Sequence, residues 1–118
     1  MEKFTFLQYP KCGTCRKAKK WLDENQVEYT SRLIVEDNPT SEELKEWIGR
    51  SGLPVKKFFN TSGQIYKEMN LKEKLPNMTE QEQIDLLATN GKLVKRPLMV
   101  SEERVMVGFK EEEWQQLK

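Results

Sequence analysis

The sequence predicts an α/β fold in which a mixed four-stranded sheet is interrupted by an all-helical insertion. Two observations lead to this prediction. Short apolar runs typical of strands occur near both ends of the chain, whereas the apolar residues of the middle block, about 40–91, recur at helical spacing. The first two strand-like runs are also separated by one helix, which favours a parallel pair joined by a right-handed crossover. With 118 residues, the chain is expected to form one domain, 1–118, with a real core.

The first third of the chain predicts a strand, a helix and a second strand. The first strand covers residues 3–8, the helix runs from about Thr14 to Asn25, and residues 27–35 alternate loosely between apolar and polar positions. The apolar positions expected to define these elements are Phe4, Phe6 and Leu7, then Ala18, Trp21 and Leu22, then Val27, Tyr29, Leu33 and Val35.

The middle block predicts helices with recognisable ends. Thr40-x-x-Glu43 and Thr79-x-x-Glu82 both have capping-box spacing, so a helix should begin at each. Ser51-Gly52 and Asn90-Gly91 are typical of helix ends, and Pro76 should break the chain between them. The apolar positions expected inside these helices, and inside two shorter ones between them, are Leu44, Trp47, Ile48, Val55, Phe58, Phe59, Tyr66, Met69, Leu71, Ile84, Leu86, Leu87 and Ala88.

The last third predicts a hairpin and a final helix. Residues 98–100 and 105–107 are apolar and flank a polar turn, and Gly108 should end the second strand. Glu111 to Leu117 predicts a helix whose acidic first turn suits the positive end of the helix dipole, with Trp114 packed inward. Strand–helix–strand, helices, hairpin and helix is the element order of a thioredoxin fold with a helical insertion.

Composition and charge argue against several classes of function. The chain carries 20 Lys and Arg against 19 Asp and Glu, so no global field favours nucleic acid or an anionic membrane. No apolar run approaches the length of a membrane span, and the amino terminus lacks the long apolar segment of a signal peptide. We therefore expect a cytoplasmic protein with no membrane or direct nucleic-acid partner, and we expect a monomer.

Both cysteines, Cys12 and Cys15, lie where the first strand should meet the first helix. The unpaired N–H groups of a first helical turn and the helix dipole favour a thiolate there. Two residues at i and i+3 on a helix are also close enough for a disulfide. This pattern indicates a redox-active pair with Cys12 as nucleophile and Cys15 as resolving thiol. The neighbours that we assign to a substrate pocket are Lys11, Gly13, Thr14 and Arg16. Lys11 and Arg16 add positive charge on either side of the cysteines.

Three other interpretations of the cysteine pair compete with this one. A closed zinc site needs four ligands, and the chain has no other Cys and no His, so no metal is expected. A static disulfide would close a loop too short to constrain the chain much. Two buried thiols without a function remain an open alternative. A thiol–disulfide cycle needs no bound organic cofactor, so none is expected.

Arg96-Pro97 stands immediately before the predicted hairpin. A proline is well tolerated at the start of a strand, and X-Pro is the bond that adopts cis at modest expense. In a thioredoxin-like fold we expect this bond to be cis and to pack against the Cys12 loop, with Pro97 in the substrate pocket. Arg96 would then stabilise the thiolate or a bound oxyanion. An ordinary strand-entry proline beside a solvated arginine is the open alternative.

Nearly the whole chain resembles the arsenate reductase/Spx family of thioredoxin-fold bacterial proteins, the ArsC-type group that includes MgsR-like proteins. The arginine–proline pair at this distance from the cysteines is more specific than C-x-x-C alone. The motifs that carry the resemblance are Tyr9-Pro10-x-Cys12-x-Thr14-Cys15-Arg16-Lys17-Ala18, Pro39-Thr40-x-x-Glu43-Leu44, Gly52-x-Pro54-Val55, Lys95-Arg96-Pro97-Leu98 and Val107-Gly108-Phe109.

The resemblance implies three functions, which stay open at this point. The first is a thiol–disulfide oxidoreductase acting on a thiol or disulfide substrate and restored by a cellular reductant, with glutathione as a candidate co-substrate. The second is an arsenate reductase, whose relatives surround the oxyanion with three arginines; Arg96 matches one, whereas Asn60 and Gly108 stand near the other two. The third is an Spx-like redox-sensing regulator that binds the carboxy-terminal domain of the RNA polymerase α subunit, with Gly52 at the partner-binding surface.

Overall fold

A four-stranded mixed sheet organises the computed structural model, which describes residues 3–117. Residues 1, 2 and 118 of the predicted domain lie outside the described part. The strands are β1 (Thr5–Gln8), β2 (Thr30–Leu33), β3 (Leu98–Val100) and β4 (Val105–Val107), and their order across the sheet is β2-β1-β3-β4. β1 pairs with β2 in parallel, and the other two pairings are antiparallel. The predicted mixed sheet, with its parallel β-α-β unit and its hairpin, is confirmed.

Helices fill the chain between the two halves of the sheet, as the sequence predicts. The helices of this insertion are α2 (Ser41–Ser51), α3 (Gln64–Glu68), α4 (Leu71–Lys74) and α5 (Glu80–Thr89). Helix α1 (Gly13–Glu24) connects β1 to β2, and α6 (Glu111–Trp114) follows the hairpin. Short 3₁₀ turns cover Val55–Phe58, Leu75–Asn77, Gly91–Leu93 and Gln115–Leu117. No helix among residues 3–117 is both long enough and apolar enough to span a membrane.

Both predicted capping boxes are present. The Thr40 hydroxyl accepts a hydrogen bond from the Glu43 N–H at 3.1 Å, and the Glu43 carboxylate accepts one from the Thr40 N–H at 3.0 Å. Thr79 and Glu82 make the same reciprocal pair at 3.1 and 2.8 Å. Gly52 ends α2 with φ 71°, a left-handed conformation that glycine adopts without a steric cost. Local sequence therefore sets the ends of these helices.

The core lies in two layers, one on each face of the sheet. Alternation along β1 directs Phe6 to one face and Leu7 to the other, and both are fully buried. Leu7 joins the helices of the insertion, whereas Phe6 joins α1 and Trp114 of α6. The sheet thus holds α1, whose first turn carries the cysteines, on the face opposite the insertion.

The predicted side-chain pattern of β2 is wrong at Leu33. That side chain is 39% exposed, and the buried residue is the next one, Ile34, with no exposed surface. Arg32 pairs with Leu7, so Ile34, two residues on, lies on the face of the insertion and is buried there with Leu7, whereas Leu33 lies on the opposite face at the end of this four-residue edge strand. A turn begins at Ile34. Gly91 packs onto this turn so closely that a Cβ atom there would lie 1.8 Å from the Ile34 carbonyl oxygen. The close contact joins the end of the insertion to the end of β2.

Candidate functional site

Cys12 occupies the N-cap position of α1, at the end of the loop that leaves β1. Its N–H donates a hydrogen bond to the Tyr9 carbonyl at 2.9 Å, and its own carbonyl accepts one from the Arg16 N–H at 3.1 Å. These two bonds fix the turn between strand and helix. The thiol is half-buried and free, so it lies at the surface with the first turn of α1 beside it.

Cys15 lies in the first turn of α1, with no solvent-exposed surface. The Tyr9 N–H donates a hydrogen bond to its sulfur at 3.4 Å. Burial, with a smaller contribution from the neighbouring Cys12, raises the pKa of Cys15 to about 12, although the Tyr9 N–H and the Arg96 charge act in the opposite direction. In the reduced protein Cys15 is therefore a protonated thiol at neutral pH.

Cys12 has the opposite electrostatic environment. Partial burial acts to raise its pKa, but interactions with the Cys15 N–H and thiol and with the Arg96 guanidinium outweigh it, and the pKa falls below the usual value. Although the Cys12 thiol makes no close capping hydrogen bond, it faces the N–H end of the helix. The two thiols are thus chemically unequal, and the more acidic one is the more exposed.

Arg96 reaches the Cys12 thiol from the other side of the fold. The Arg96–Pro97 bond is cis, as expected from the sequence. The guanidinium donates a hydrogen bond to the Lys92 carbonyl at 3.2 Å and stacks over the Tyr9 ring at 4.9 Å. Its buried Nε has no hydrogen-bond partner among the described residues. Arg96 is therefore held in place by two groups and keeps donor capacity at the thiol.

The other residues assigned to the pocket have different surroundings. Lys11, Gly13 and Thr14 are exposed, and a side chain at Gly13 would meet nothing within 4 Å. Arg16 folds back onto the loop, where it donates hydrogen bonds to the Pro10 carbonyl at 2.9 Å and the Lys11 carbonyl at 3.5 Å. Arg16 thus braces the loop, and the Cys12 thiol takes its cationic contact from Arg96.

Pro97 is buried at the start of β3, and its carbonyl accepts a hydrogen bond from the Gly108 N–H at 2.8 Å. Just before it, the Leu93 carbonyl accepts one from the Asn60 N–H at 2.7 Å. Asn60 and Gly108 therefore flank the segment that carries Arg96. Neither residue has a charged side chain, so these two positions add no positive charge to the pocket.

Tyr9 and Lys92 are parts of the site that the sequence argument did not single out. Tyr9 contributes its carbonyl to Cys12, its N–H to Cys15 and its ring to Arg96. Lys92 contributes its backbone carbonyl, which every residue type has. The sequence pair Tyr9-Pro10 before the cysteines could have indicated the role of Tyr9, whereas no feature of a lysine side chain could have indicated the role of Lys92.

Gly52 lies at the exposed carboxy end of α2, among none of the contacts described for the cysteines. A side chain at this position would meet nothing within 4 Å. The adjacent Leu53 is 39% exposed, which is unusual for a large apolar residue in this chain. As for metal ions, residues 3–117 contain no cluster of three or more Cys, His, Asp or Glu side chains that could hold one.

Comparisons with known proteins show which sequences and structures this chain resembles. A model of the ArsC family matches residues 7–117. The YusI protein of Bacillus subtilis, itself described as uncharacterized, is 57% identical over 112 residues, which is 95% of each chain. The regulatory protein MgsR of the same bacterium is 33% identical over 92% of this chain and 84% of its own. A crystal structure of an ArsC family related protein from Bacteroides fragilis superposes with a TM-score of 0.95 at 73% identity, covering 98% of this chain and 97% of that one.

Proposed function

The chain belongs to the ArsC family, and from this premise we propose that it is a thiol–disulfide oxidoreductase that uses Cys12 and Cys15. The observation that carries the proposal is the unequal acidity of the two thiols. A nucleophilic cysteine needs a lowered pKa and access to solvent, and Cys12 has both. A resolving cysteine must stay protonated until it is needed, and burial keeps Cys15 in that state.

In the proposed cycle, the Cys12 thiolate attacks one sulfur of a substrate disulfide. The substrate S–S bond breaks, one substrate sulfur leaves as a thiolate, and the other is joined to Cys12. Cys15 then loses its proton and attacks the Cys12 sulfur, so that the second substrate thiolate leaves and a Cys12–Cys15 disulfide remains. The substrate gains the two electrons that the protein loses, and the two released thiolates take up the proton of Cys15 and one proton from water. A cellular dithiol or two molecules of glutathione reduce the pair again.

Activation of Cys15 follows from the same contacts. Once Cys12 is in a mixed disulfide it carries no negative charge, so its contribution to the high pKa of Cys15 disappears. The Tyr9 N–H and the Arg96 guanidinium remain and favour the Cys15 thiolate. The chain has no histidine, so the proton is taken by water or by the departing substrate thiolate.

The test is reduction of a model disulfide by the full chain, coupled to glutathione and glutathione reductase in one assay and to a thioredoxin system in another. We expect turnover with at least one reductant, loss of turnover in Cys12→Ser, and in Cys15→Ser a stable mixed disulfide on Cys12. Trapping on Cys15 rather than Cys12, or no turnover with either reductant, would refute the proposal.

A second candidate is a regulator that docks on the carboxy-terminal domain of the RNA polymerase α subunit through the Gly52 surface. The specific observation in its favour is the open, exposed position of Gly52 beside the exposed Leu53. A side chain at position 52 meets nothing within 4 Å, so the cost of Gly52→Arg to the fold is that of placing a Cβ atom in the left-handed conformation, and its bulk should act on a partner. Gly52→Ala is the matched control, since alanine has the same backbone cost and adds little bulk. Co-purification with the α subunit that is lost only in Gly52→Arg would support this function, and equal binding by both variants would contradict it.

A further inference from the structure

A groove of about 840 Å³ runs along the outer side of β4. β4 is the last strand of the sheet and pairs only with β3 among the described residues. One wall of the groove is formed within residues 51–61, between α2 and the turn that follows Val55–Phe58. The other wall is formed within residues 110–116, at α6. All three residues of β4 therefore line the groove.

Two hydrogen bonds show which backbone groups of β4 face this groove. At the turn, the Ser101 N–H donates to the Arg104 carbonyl at 2.9 Å, and at the far end the Gly108 N–H donates to the Pro97 carbonyl at 2.8 Å. In an antiparallel pair, hydrogen-bonded and non-hydrogen-bonded residue pairs alternate. Between these two ends, Met106 is therefore the β4 residue whose N–H and C=O face β3.

Val105 and Val107 consequently direct their N–H and C=O groups away from β3, into the groove. Within residues 3–117 these outward groups make no hydrogen bond. They lie two residues apart, which is the spacing at which an added strand pairs with a sheet edge. A free edge of this kind is usually covered or protected by charge in a soluble protein.

The groove is strongly basic although the whole chain is nearly neutral. Its one acidic residue is Glu113. The four lysines of the groove form no ion pair with any residue in 3–117. Apolar surface is also present, since Leu53 and Phe59 line the same groove. The cationic residues of the groove are Lys56, Lys57, Lys95, Arg104 and Lys110.

We propose that β4 is a docking edge for an extended acidic segment of a partner protein, which adds to the sheet as a fifth strand. Backbone pairing with Val105 and Val107 would set its register, and carboxylates on alternate residues would reach the cations of the walls. A second copy of this chain is a poor occupant, because two such grooves would bring like charges together. The inference is independent of the thiol chemistry, since no cysteine lines the groove.

The test uses the full chain with Cys12→Ser, so that redox chemistry cannot contribute. The probe is a fluorescent peptide of alternating glutamate and valine, about ten residues long, which matches a long strand. We expect saturable binding at low ionic strength, and protection from hydrogen exchange at the Val105 and Val107 amides but no change at Met106, which already faces β3. N-methylation of alternate peptide bonds, which removes the donors of one peptide edge, should weaken binding by at least about tenfold when that edge faces β4.

A pair of charge variants separates the groove from general electrostatics. Lys56→Glu with Lys57→Glu should weaken peptide binding by at least about tenfold, whereas Lys45→Glu with Lys74→Glu, at exposed positions outside the groove, should change it little. No binding, or salt-sensitive binding without protection of the two valine amides, would overturn the proposal. Equal weakening of peptide binding by the Lys56/Lys57 and Lys45/Lys74 double variants would also overturn it. None of these outcomes bears on turnover of a disulfide substrate, so the two proposals fail separately.

Discussion

At the scale of single residues, the site depends on one arginine that contacts the nucleophilic thiol and one that does not. Arg96 contributes to the lowered pKa of Cys12, whereas Arg16 donates to two backbone carbonyls of the loop. Both carry the same charge, and both lie close to the cysteines. The pair therefore distinguishes a specific contact from a general effect of positive charge.

The first prediction follows from this difference. Arg96→Ala should raise the pKa of Cys12 and slow its alkylation by iodoacetamide at neutral pH by roughly three- to tenfold, because less thiolate is present. Arg16→Ala should have a much smaller effect on the alkylation rate. Both variants are made in a Cys15→Ser background. The measurement is the alkylation rate between pH 5 and pH 10. Equal shifts in the two variants would show that Arg96 acts only through its distant charge.

The second prediction concerns the buried thiol and the pH dependence of stability. The pKa of Cys15 rises from an ordinary value of 9.0 to about 12 in the folded chain. Folding thus favours the protonated thiol, and its contribution to stability is full below pH 9 and is lost as the pH rises towards 12. By pH 10 this loss should reach about 1 kcal/mol in the free energy of unfolding.

Urea melts of the reduced protein at pH 8 and pH 10 measure this loss. Lysines and tyrosines also titrate in this range, so the comparison is with Cys15→Ala, which keeps them and lacks the thiol. The variant should lose less stability than the native chain over the same interval. If the two lose the same amount, the thiol is not the titrating group.

At the scale of secondary-structure elements, the two capping boxes provide a matched pair of carboxylates. Glu43 and Glu82 occupy the same position in α2 and α5 and make the same backbone contacts. Glu43 alone also pairs with Arg32 of β2, at 2.7 and 2.9 Å, and Arg32 stacks over Trp47. That additional pair links an edge strand to the start of a helix.

The third prediction compares the two positions. Glu43→Gln should destabilise the protein by about 1–3 kcal/mol, since it removes the carboxylate that accepts two hydrogen bonds from a half-buried guanidinium and leaves only the exposed Asp37 carboxylate beside it, and Glu82→Gln by less than about 1 kcal/mol. The hydrogen bond from Arg32 lowers the pKa of Glu43, so its stabilisation is present above pH 4.5 and is lost as the pH falls through the lower folded value. Thermal melts at pH 7 and pH 3 test both points. A cost for Glu82→Gln as large as that for Glu43→Gln would contradict the role given to Arg32.

Elements with local signals could be predicted from the sequence, and those decided by distant packing could not. The capping boxes and the hairpin depend on residues a few positions apart, and the structure has them where the sequence places them. β2 is a four-residue edge strand, and the burial of its apolar residues depends on which face is covered: Ile34 is buried on the face of the insertion, whereas Leu33, on the other face, stays 39% exposed. In the site, Arg96 was recognisable beside its proline, whereas its support by the Lys92 carbonyl and the Tyr9 ring depends on the tertiary arrangement.

At the scale of the whole molecule, Asn60 and Gly108 come from separate parts of the chain and donate backbone N–H groups to the segment that carries Arg96. Among these three positions, only Arg96 has a charged side chain. An arsenate ion needs several charge-assisted contacts, and each one missing costs about 1.5–3 kcal/mol.

The fourth prediction is therefore that arsenate reduction is weak or absent, even when a model disulfide is reduced well. A coupled assay that follows reductant consumption with and without arsenate measures this, with the disulfide assay on the same preparation as its positive control. Brisk turnover of arsenate by the unmodified chain would show that other residues supply the positive charge that positions 60 and 108 lack, and would favour the reductase function.

The contact between Gly91 and the Ile34 carbonyl has a genetic consequence. A Cβ atom at position 91 would lie 1.8 Å from a backbone oxygen, and no rotamer change can move a backbone oxygen away. Every missense change in a glycine codon introduces a Cβ atom, including the smallest, to alanine. No amino-acid substitution at position 91 should therefore be neutral, although the residue lies outside the contacts of both thiols. Selection for the fold alone should keep it fixed.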